Sequence, residues 1–253
     1  MKRVILPLAL LLTMATAGDQ FAMSDADRAM YKEMLENNPA DIFVEEGSEI
    51  LEEELGGDAA LAKFLGVNEN DLPKEIATFP KYVKKLGNVV GLDQVMQAMQ
   101  AEQGKKITKL KDKKMFSMLA YVKSLANEEV PNIDLSEPHE KEAYELGKKT
   151  FMTPRGGRGL SCNSCHSKDI VGMVLRTQPL PDLGAAGAGA TWPAYRMTKS
   201  SLRTLQRRFQ GCMKNALLKV IPIGSKEMVG LEVYVTKLAQ DHKKQIAIPG
   251  LKR

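Results

Sequence analysis

Three cysteines and one adjoining histidine are the residues of this chain whose types and spacing could carry chemistry. Cys162 and Cys165 stand in a Cys-x-x-Cys-His sequence that ends at His166. This spacing is typical of c-type haem attachment, in which both thiols form thioethers and the imidazole binds the iron. The alternatives are a disulfide or half of a zinc site, but the remaining cysteine and the two other histidines are too scattered to complete a zinc site. The pattern therefore predicts one covalently bound haem c.

The first 17 residues have the pattern of a cleaved secretory signal. Lys2 and Arg3 precede an apolar run over 4–14, and Ala15-Thr16-Ala17 has the small-x-small form of a cleavage site. The apolar run is well short of the roughly 20 residues that a spanning helix needs. We therefore expect a signal peptide at 1–17, a periplasmic location, and no membrane insertion after cleavage.

Charge divides the chain into two opposite halves. Residues 148–253 contain 19 Lys and Arg against 5 Asp and Glu, whereas residues 18–147 contain 15 against 26. A basic field around a haem favours anionic substrates or acidic partner surfaces, although a solvated lysine face is the alternative interpretation. Nucleic acid is disfavoured as a partner by the predicted compartment and by the acidic first half.

The elements that must position the haem motif are predicted to be helices. Apolar spacing and end signals indicate helices near 24–38, 50–55, 76–85, 92–103 and 113–125. A turn-rich segment over 127–136 then links the halves. Because the first half has no cysteine and no histidine before His139, it offers no ligands for a second haem.

The second half has the layout of a small cytochrome c domain. A helix beginning near Pro138 leads to the haem sequence, and a loop rich in Pro and Gly over 179–189 is expected to wrap the haem. A closing helix with one apolar face over 231–238 should cross the first helix at Gly147. The predicted fold is mainly α, with a helical domain over 18–135 that lacks haem and a haem-binding cytochrome c domain over 136–253.

Cys212 is the one cysteine left after haem attachment. An odd cysteine in an exported protein is a free reactive thiol, an intermolecular disulfide, a ligand or a small buried hydrophobe. The pattern predicts a helix over 201–212 with Leu202, Leu205 and Phe209 on its buried side, and Arg208 then lies one turn before Cys212. A fixed positive charge on the same helical face favours the thiolate, which is a nucleophile and an iron ligand. Met228 is the competing choice for the second iron ligand.

Several short sequences resemble the SoxA subunit of the SoxAX cytochrome complex of thiosulfate oxidation. The resemblance rests on Asp25–Tyr31, Val44–Gly47, Trp192–Arg196, Thr204–Phe209, Cys212 and Glu232–Tyr234. It implies two cytochrome c-like domains and an L-cysteine S-thiosulfotransferase, which joins thiosulfate to a cysteine of the carrier SoxYZ. It also implies that Cys212 is the distal haem ligand and catalytic thiol, and that Arg208 binds the sulfonate. The family's second basic residue, on the closing helix, would be Lys237.

One departure from the resembling family concerns the first half. Many relatives carry another haem there, whereas this chain has no second Cys-x-x-Cys-His and resembles the single-haem variety. Forming one S–S bond releases two electrons while one haem accepts one at a time, so a SoxX partner in a heterodimer is expected. Two other functions stay open: a simple electron-transfer cytochrome with His/Met ligation, and a recruiting subunit with a vestigial haem.

Overall fold

The computed structural model describes residues 25–175 and 178–252, so the predicted signal peptide over 1–17 and the first residue of the predicted helix near 24–38 lie outside the described residues. The elements of the first half are α1 (Asp25–Glu36), α2 (Asp41–Leu55), α3 (Gly57–Leu65), α4 (Leu72–Ala77), β1 (Lys81–Val83), β2 (Asn88–Val90), α5 (Leu92–Glu102) and α6 (Lys113–Ser124). Those of the second half are α7 (Pro138–Met152), α8 (Asn163–His166), β3 (Val174–Leu175), β4 (Gln178–Pro179), β5 (Ala194–Arg196), β6 (Ser201–Arg203), α9 (Leu205–Asn215), α10 (Lys226–Asp241) and β7 (Gly250–Lys252). None of the described helices has the length and apolar character that crossing a bilayer requires.

The core of the first half is built on the packing of α2 against α6. A Cβ at Gly47 would lie 2.1 Å from the carbonyl oxygen of Ser117, so only glycine allows the two helices to approach this closely. Leu51, Met115 and Met118 are fully buried beside this contact. Burial of side chains of this size contributes roughly 1.5–3 kcal/mol each to stability. The helical prediction for this half is therefore supported by a continuous apolar core.

One predicted helix of the first half is wrong. The pattern over 76–85 predicts a helix, but α4 ends at Ala77 and the chain enters the β1–β2 hairpin. Pro80 explains the break, because proline lacks the amide hydrogen of a helix and disfavours helical backbone at the preceding residue. The predicted helices over 92–103 and 113–125 are confirmed as α5 and α6, each within one residue at both ends.

The second half is organised by α7 and α10, which cross at Gly147 as predicted. A Cβ at Gly147 would lie 1.8 Å from the carbonyl oxygen of Gly230 on α10. Beside the crossing, the ring centroids of Tyr144 and Tyr234 lie 5.4 Å apart. The predicted apolar face over 231–238 belongs to α10 and is largely buried. This crossing holds the closing helix against the helix that leads into the haem sequence.

A three-stranded sheet, which the sequence analysis does not predict, connects the C-terminal segment to both halves. Strand β5 pairs antiparallel with β6 and parallel with β7. Around β7, the Tyr31 hydroxyl donates to the Leu251 carbonyl at 2.9 Å, and the Asn38 side-chain amide donates to the Pro249 carbonyl at 2.7 Å. The C-terminal segment is therefore tied to the first half, and a domain division between residues 135 and 136 stays a prediction.

A cluster of charged side chains lies buried where α5, α6 and α10 meet. Asp93 and Lys123 are buried, and both interact electrostatically with Glu232 on α10. Burial, followed by the charge of Glu232, raises the pKa of Asp93 from its ordinary 3.8 to about 7, while burial lowers the pKa of Lys123. Two carboxyl groups thus share one cation, and Asp93 keeps its proton well above the pH at which an exposed aspartate loses it.

We expect Asp93→Asn to flatten the dependence of stability on pH. The folded wild type binds the Asp93 proton more tightly than the unfolded chain, so the free energy of unfolding decreases as pH rises from about 4 to about 7. The asparagine cannot ionise, so the variant gains stability relative to wild type across this window. Urea unfolding from pH 4 to 8 measures this, with Glu145→Gln as an exposed control. An unchanged pH slope in Asp93→Asn would contradict the buried, protonated state.

Candidate active site

The predicted haem attachment sequence, Cys162–His166, forms a single helical turn. Cys162 immediately precedes α8 and His166 ends it, while Cys162 and Cys165 are unpaired and half-buried. The Nδ1–H of His166 donates to the carbonyl oxygen of Pro181 at 2.9 Å. Because Nδ1 is engaged with the predicted wrapping loop, Nε2 is the nitrogen left to bind a metal.

The residues around this turn fit a c-type haem. The ring of Phe151 lies with its centroid 6.5 Å from that of His166. The surrounding apolar core contains Phe151, Trp192, Leu205, Met213, Met228, Leu231 and Tyr234, with Leu160, Leu183 and Phe209 packed against it. Burial, and then the charge of Arg208, lower the pKa of His166 and favour the neutral imidazole that binds iron. Burial raises the pKa of the Cys162 thiol to about 11, so the thiol is uncharged near neutral pH, and Cys162 packs against this apolar core.

The helix that carries Cys212 begins later than predicted. Residues 201–203 form β6, and α9 starts at Leu205, where the Thr204 hydroxyl accepts the backbone N–H of Arg207 at 3.3 Å. Residues 201–203 pair with the neighbouring strand β5, which also pairs with the distant strand β7, and this sheet overrides the local helical pattern. Leu205 is buried as predicted, whereas Phe209 is only half-buried.

Two buried glutamines, which the sequence analysis misses, hold α9 in place. The Gln206 amide donates to the Glu232 carboxylate at 2.7 Å, and its oxygen accepts the backbone N–H of Gly224 at 2.9 Å. The Gln210 amide donates to the carbonyl of Ile221 at 2.8 Å. The two glutamines are four residues apart, so they share one helical face. The four-residue spacing is the one sequence feature that could indicate a shared buried face, but glutamine is usually exposed and by itself does not indicate burial.

Cys212 and Arg208 lie on the face of α9 that borders the haem sequence. Both are half-buried, and the two side chains are one helical turn apart. Cys212 interacts electrostatically with the Cys162 thiol, and Arg208 interacts with His166. The structure therefore brings four of the predicted site residues together: Cys162, predicted to attach the haem, His166, predicted to bind the iron, and the thiol and guanidinium of Cys212 and Arg208.

Other predicted residues have different surroundings. Lys237 forms an ion pair with Asp241 one turn along α10, and no described hydrogen bond or salt bridge links Lys237 to Cys212 or Arg208. Met228 is fully buried in the apolar core of the second half. His242 is exposed.

One cation that interacts with Cys212, and a second cation on the strand beside it, are absent from the predicted site. Arg196, at the end of β5, interacts electrostatically with both Arg208 and Cys212. Its register partner on the parallel strand β7 is Lys252. Arg196 belongs to the Trp192–Arg196 sequence, which is part of the resemblance to SoxA, but the resemblance implies no role for it. No pattern in the sequence indicates a role for Lys252.

Comparison with known proteins assigns the chain to a family. Residues 146–243 match the model of the SoxA/TsdA cytochrome c domain. The L-cysteine S-thiosulfotransferase subunit SoxA of Hydrogenophilus thermoluteolus is 31% identical over 256 residues, covering 95% of this chain and 92% of that protein. The chain belongs to the SoxA family. The SoxA of Chlorobaculum thiosulfatiphilum is 26% identical, covering 88% of this chain and 76% of its own length.

The fold of this SoxA-family chain is also found in a solved structure. The crystal structure of SoxXA from P. pantotrophus aligns with a TM-score of 0.70 at 20% identity, covering 88% of this chain and 83% of that one. The predictions of a mainly helical fold, a cytochrome c domain and SoxA family membership are confirmed. Haem c is the cofactor that such a domain implies, and Cys162, Cys165 and His166 stand within the matched residues.

Proposed function

We propose that this SoxA-family chain acts in an L-cysteine S-thiosulfotransferase, joining thiosulfate oxidatively to a cysteine of the carrier SoxYZ. One observation carries the proposal: Cys212 lies within electrostatic range of Cys162 and of the cation Arg196, with Arg208 one turn away. A thiol between cations and a haem attachment sequence suits an anionic sulfur substrate whose oxidation releases electrons.

The cofactor of the proposal is one covalently bound haem c. Cys162 and Cys165 would hold it through thioethers, His166 would bind the iron, and Cys212 would be the second iron ligand. When bound, haem c accepts electrons one at a time. The hydrogen bond from His166 to Pro181 orients the imidazole for this role.

The chain's own residues supply binding and nucleophilic chemistry. Arg208 binds the sulfonate of thiosulfate and places the sulfane sulfur beside the Cys212 thiolate. One S–S bond forms between these two sulfurs as two electrons pass, one at a time, to the oxidised cytochrome acceptor, and no bond of thiosulfate breaks; the Cys212 thiol has already given up its proton. A carrier thiolate then attacks the same sulfane sulfur, so the carrier keeps the S–S–sulfonate group and Cys212 returns as thiolate. Lys237 on α10, which is paired with Asp241, is a second cation of the proposed site beside Arg208.

The partners of the proposal follow from this balance. Two electrons require a second acceptor, so we expect the chain to form a heterodimer with a SoxX cytochrome. The substrate is thiosulfate, the acceptor cysteine belongs to SoxYZ, and the reaction takes place in the periplasm after removal of residues 1–17. The proposed domain division assigns all named site residues to 136–253, while the haem-less domain over 18–135 is left for packing and partner contacts.

Intact-mass measurement of the carrier tests the function. The purified heterodimer, thiosulfate, the reduced carrier and an oxidised cytochrome acceptor are combined, and we expect the carrier to gain one thiosulfate per cysteine as the acceptor takes up two electrons. Omitting thiosulfate is the control. Reduction of the acceptor without any mass change of the carrier would instead indicate an electron-transfer cytochrome.

A further inference from the structure

Two cations lie side by side at the ends of neighbouring strands. Arg196 ends β5 and is the direct register partner of Lys252 on the parallel strand β7. Both side chains are half-buried. We call these two residues the strand cation pair. Like charges directly opposite each other destabilise a sheet, so this arrangement needs a compensating interaction.

Strand alternation directs the strand cation pair toward the second half of the chain. Tyr195 packs against the core of the first half, whereas Ala194 is buried in the core of the second. Successive side chains point to opposite faces of a strand, so Arg196 shares the face of Ala194. Gly250 is on this face as well, since a Cβ there would lie 3.2 Å from the Ala194 Cβ. Lys252, two residues later, therefore faces the same way.

No carboxylate in the described part of the chain neutralises the strand cation pair. None of the salt bridges among these residues involves Arg196 or Lys252. The guanidinium of Arg196 has a weak hydrogen bond of 3.4 Å to the Thr198 hydroxyl. Burial, and then the charge of Arg208, lower the pKa of Arg196; burial, and then the charge of Arg196, lower the pKa of Lys252. Charges taken partly out of water without a counter-ion are costly, and an anion would remove that cost.

The position of the strand cation pair relates it to the reactive thiol. Arg196 interacts electrostatically with Cys212, with Arg208 and with Lys252, so it links the strand cation pair to the thiol and to a third cation. Lys237 differs, because Asp241 already neutralises it. Thiosulfate carries two negative charges, which one arginine does not balance. The local charge excess therefore matches a small dianion.

We propose that Arg196 and Lys252 form an oxyanion subsite beside Cys212 that binds the sulfonate of thiosulfate together with Arg208. This inference rests on the proposed function for the identity of the ligand. The planar fork of Arg196 contacts two sulfonate oxygens, while Lys252 supplies a point charge. The sulfonate is thereby held away from Cys212, which leaves the sulfane sulfur facing the thiol.

Calorimetric titration of the oxidised heterodimer with thiosulfate, and separately with sulfate, tests the subsite. In Arg196→Gln and in Lys252→Gln, we expect the Kd for both anions to rise about tenfold or more, since each variant loses one charge-assisted contact. Arg196→Lys keeps the charge but not the fork, and should give a smaller rise. Lys199→Gln removes an exposed cation from the same β5–β6 connection and should leave both Kd values unchanged.

The outcomes separate this subsite from the proposed function. Wild-type Kd values in both Arg196→Gln and Lys252→Gln would overturn the subsite, even if the wild-type complex conjugates thiosulfate to the carrier. A second outcome is that the wild-type complex forms no thiosulfate conjugate on the carrier, while both variants bind sulfate more weakly than wild type. In that case the subsite stands and the proposed function is wrong. Haem content and circular dichroism identify any variant that has not folded. If one of the two variants, Arg196→Gln or Lys252→Gln, does not fold, the other still tests the subsite.

Discussion

Replacing Cys212 with serine is expected to lower turnover by about a thousandfold or more. Serine nearly preserves the volume of this half-buried side chain, but its hydroxyl does not ionise near neutral pH and is a far weaker nucleophile. The variant keeps Cys162, Cys165 and His166, so haem attachment should be unchanged. The measurement is kcat/KM for conjugation of thiosulfate to the carrier, with the conjugate detected by the intact mass of the carrier.

Low-temperature electron paramagnetic resonance separates the two roles given to Cys212. The oxidised wild type should show the rhombic low-spin signal of an iron with a thiolate ligand, and Cys212→Met should lose it. Lys214→Ala, an exposed change two residues along α9, serves as the control for both experiments. Full turnover in Cys212→Ser, together with a His/Met signal that Cys212→Met leaves unaltered, would favour an electron carrier with Met228 as ligand.

The parts of the site that could be predicted depend on spacing within one element. The interval from Cys162 to His166 is one helical turn, and Arg208 lies one turn before Cys212 on α9. Such relations depend on helix geometry alone, so the sequence is sufficient to predict them. Lys237 and Asp241 have the same four-residue spacing. The spacing alone does not show that the two side chains form an ion pair in which the Asp241 carboxylate neutralises the charge of Lys237.

The parts that could not be predicted depend on contacts between distant segments. Arg196 and Lys252 meet because β5 pairs with β7, and the pairing of short strands has no local sequence signal strong enough to identify it. The late start of α9 at Leu205 has its cause in the same sheet, because β6 pairs with β5 and takes up residues 201–203. Gln206 was missed for a related reason, since its partners Glu232 and Gly224 lie on other segments.

For the fold as a whole, the features that could be predicted again depend on local sequence, and those that could not depend on contacts between distant segments. Apolar periodicity predicted α5, α6 and α10 because these helices bury one face each. The apolar pattern over 76–85 predicts a helix that Pro80 prevents, because proline lacks the amide hydrogen of a helix and disfavours helical backbone at the preceding residue. The crossing at Gly147 was predicted from one helix, while its partner Gly230 required the structure.

Replacing Gly147 with alanine is expected to destabilise the protein by about 2–4 kcal/mol. The added methyl would lie 1.8 Å from the carbonyl oxygen of Gly230 and 2.4 Å from its carbonyl carbon, so α7 and α10 would have to separate. Alanine is a better helix former than glycine by about 1 kcal/mol. A loss of stability therefore cannot come from helix propensity and must come from the crossing.

Urea unfolding of the holoprotein measures the effect of Gly147→Ala, with Gly157→Ala as the matched control. A Cβ at Gly157 has no heavy atom within 4 Å, and that residue is exposed in the same half of the chain. Separation of α7 from α10 would also displace Phe151, whose ring lies beside His166. We therefore expect Gly147→Ala to shift the haem absorption spectrum as well as the midpoint, whereas Gly157→Ala shifts neither. A Gly147→Ala protein as stable as wild type would show that the two helices can move apart without cost, and that the crossing does not hold the haem half together.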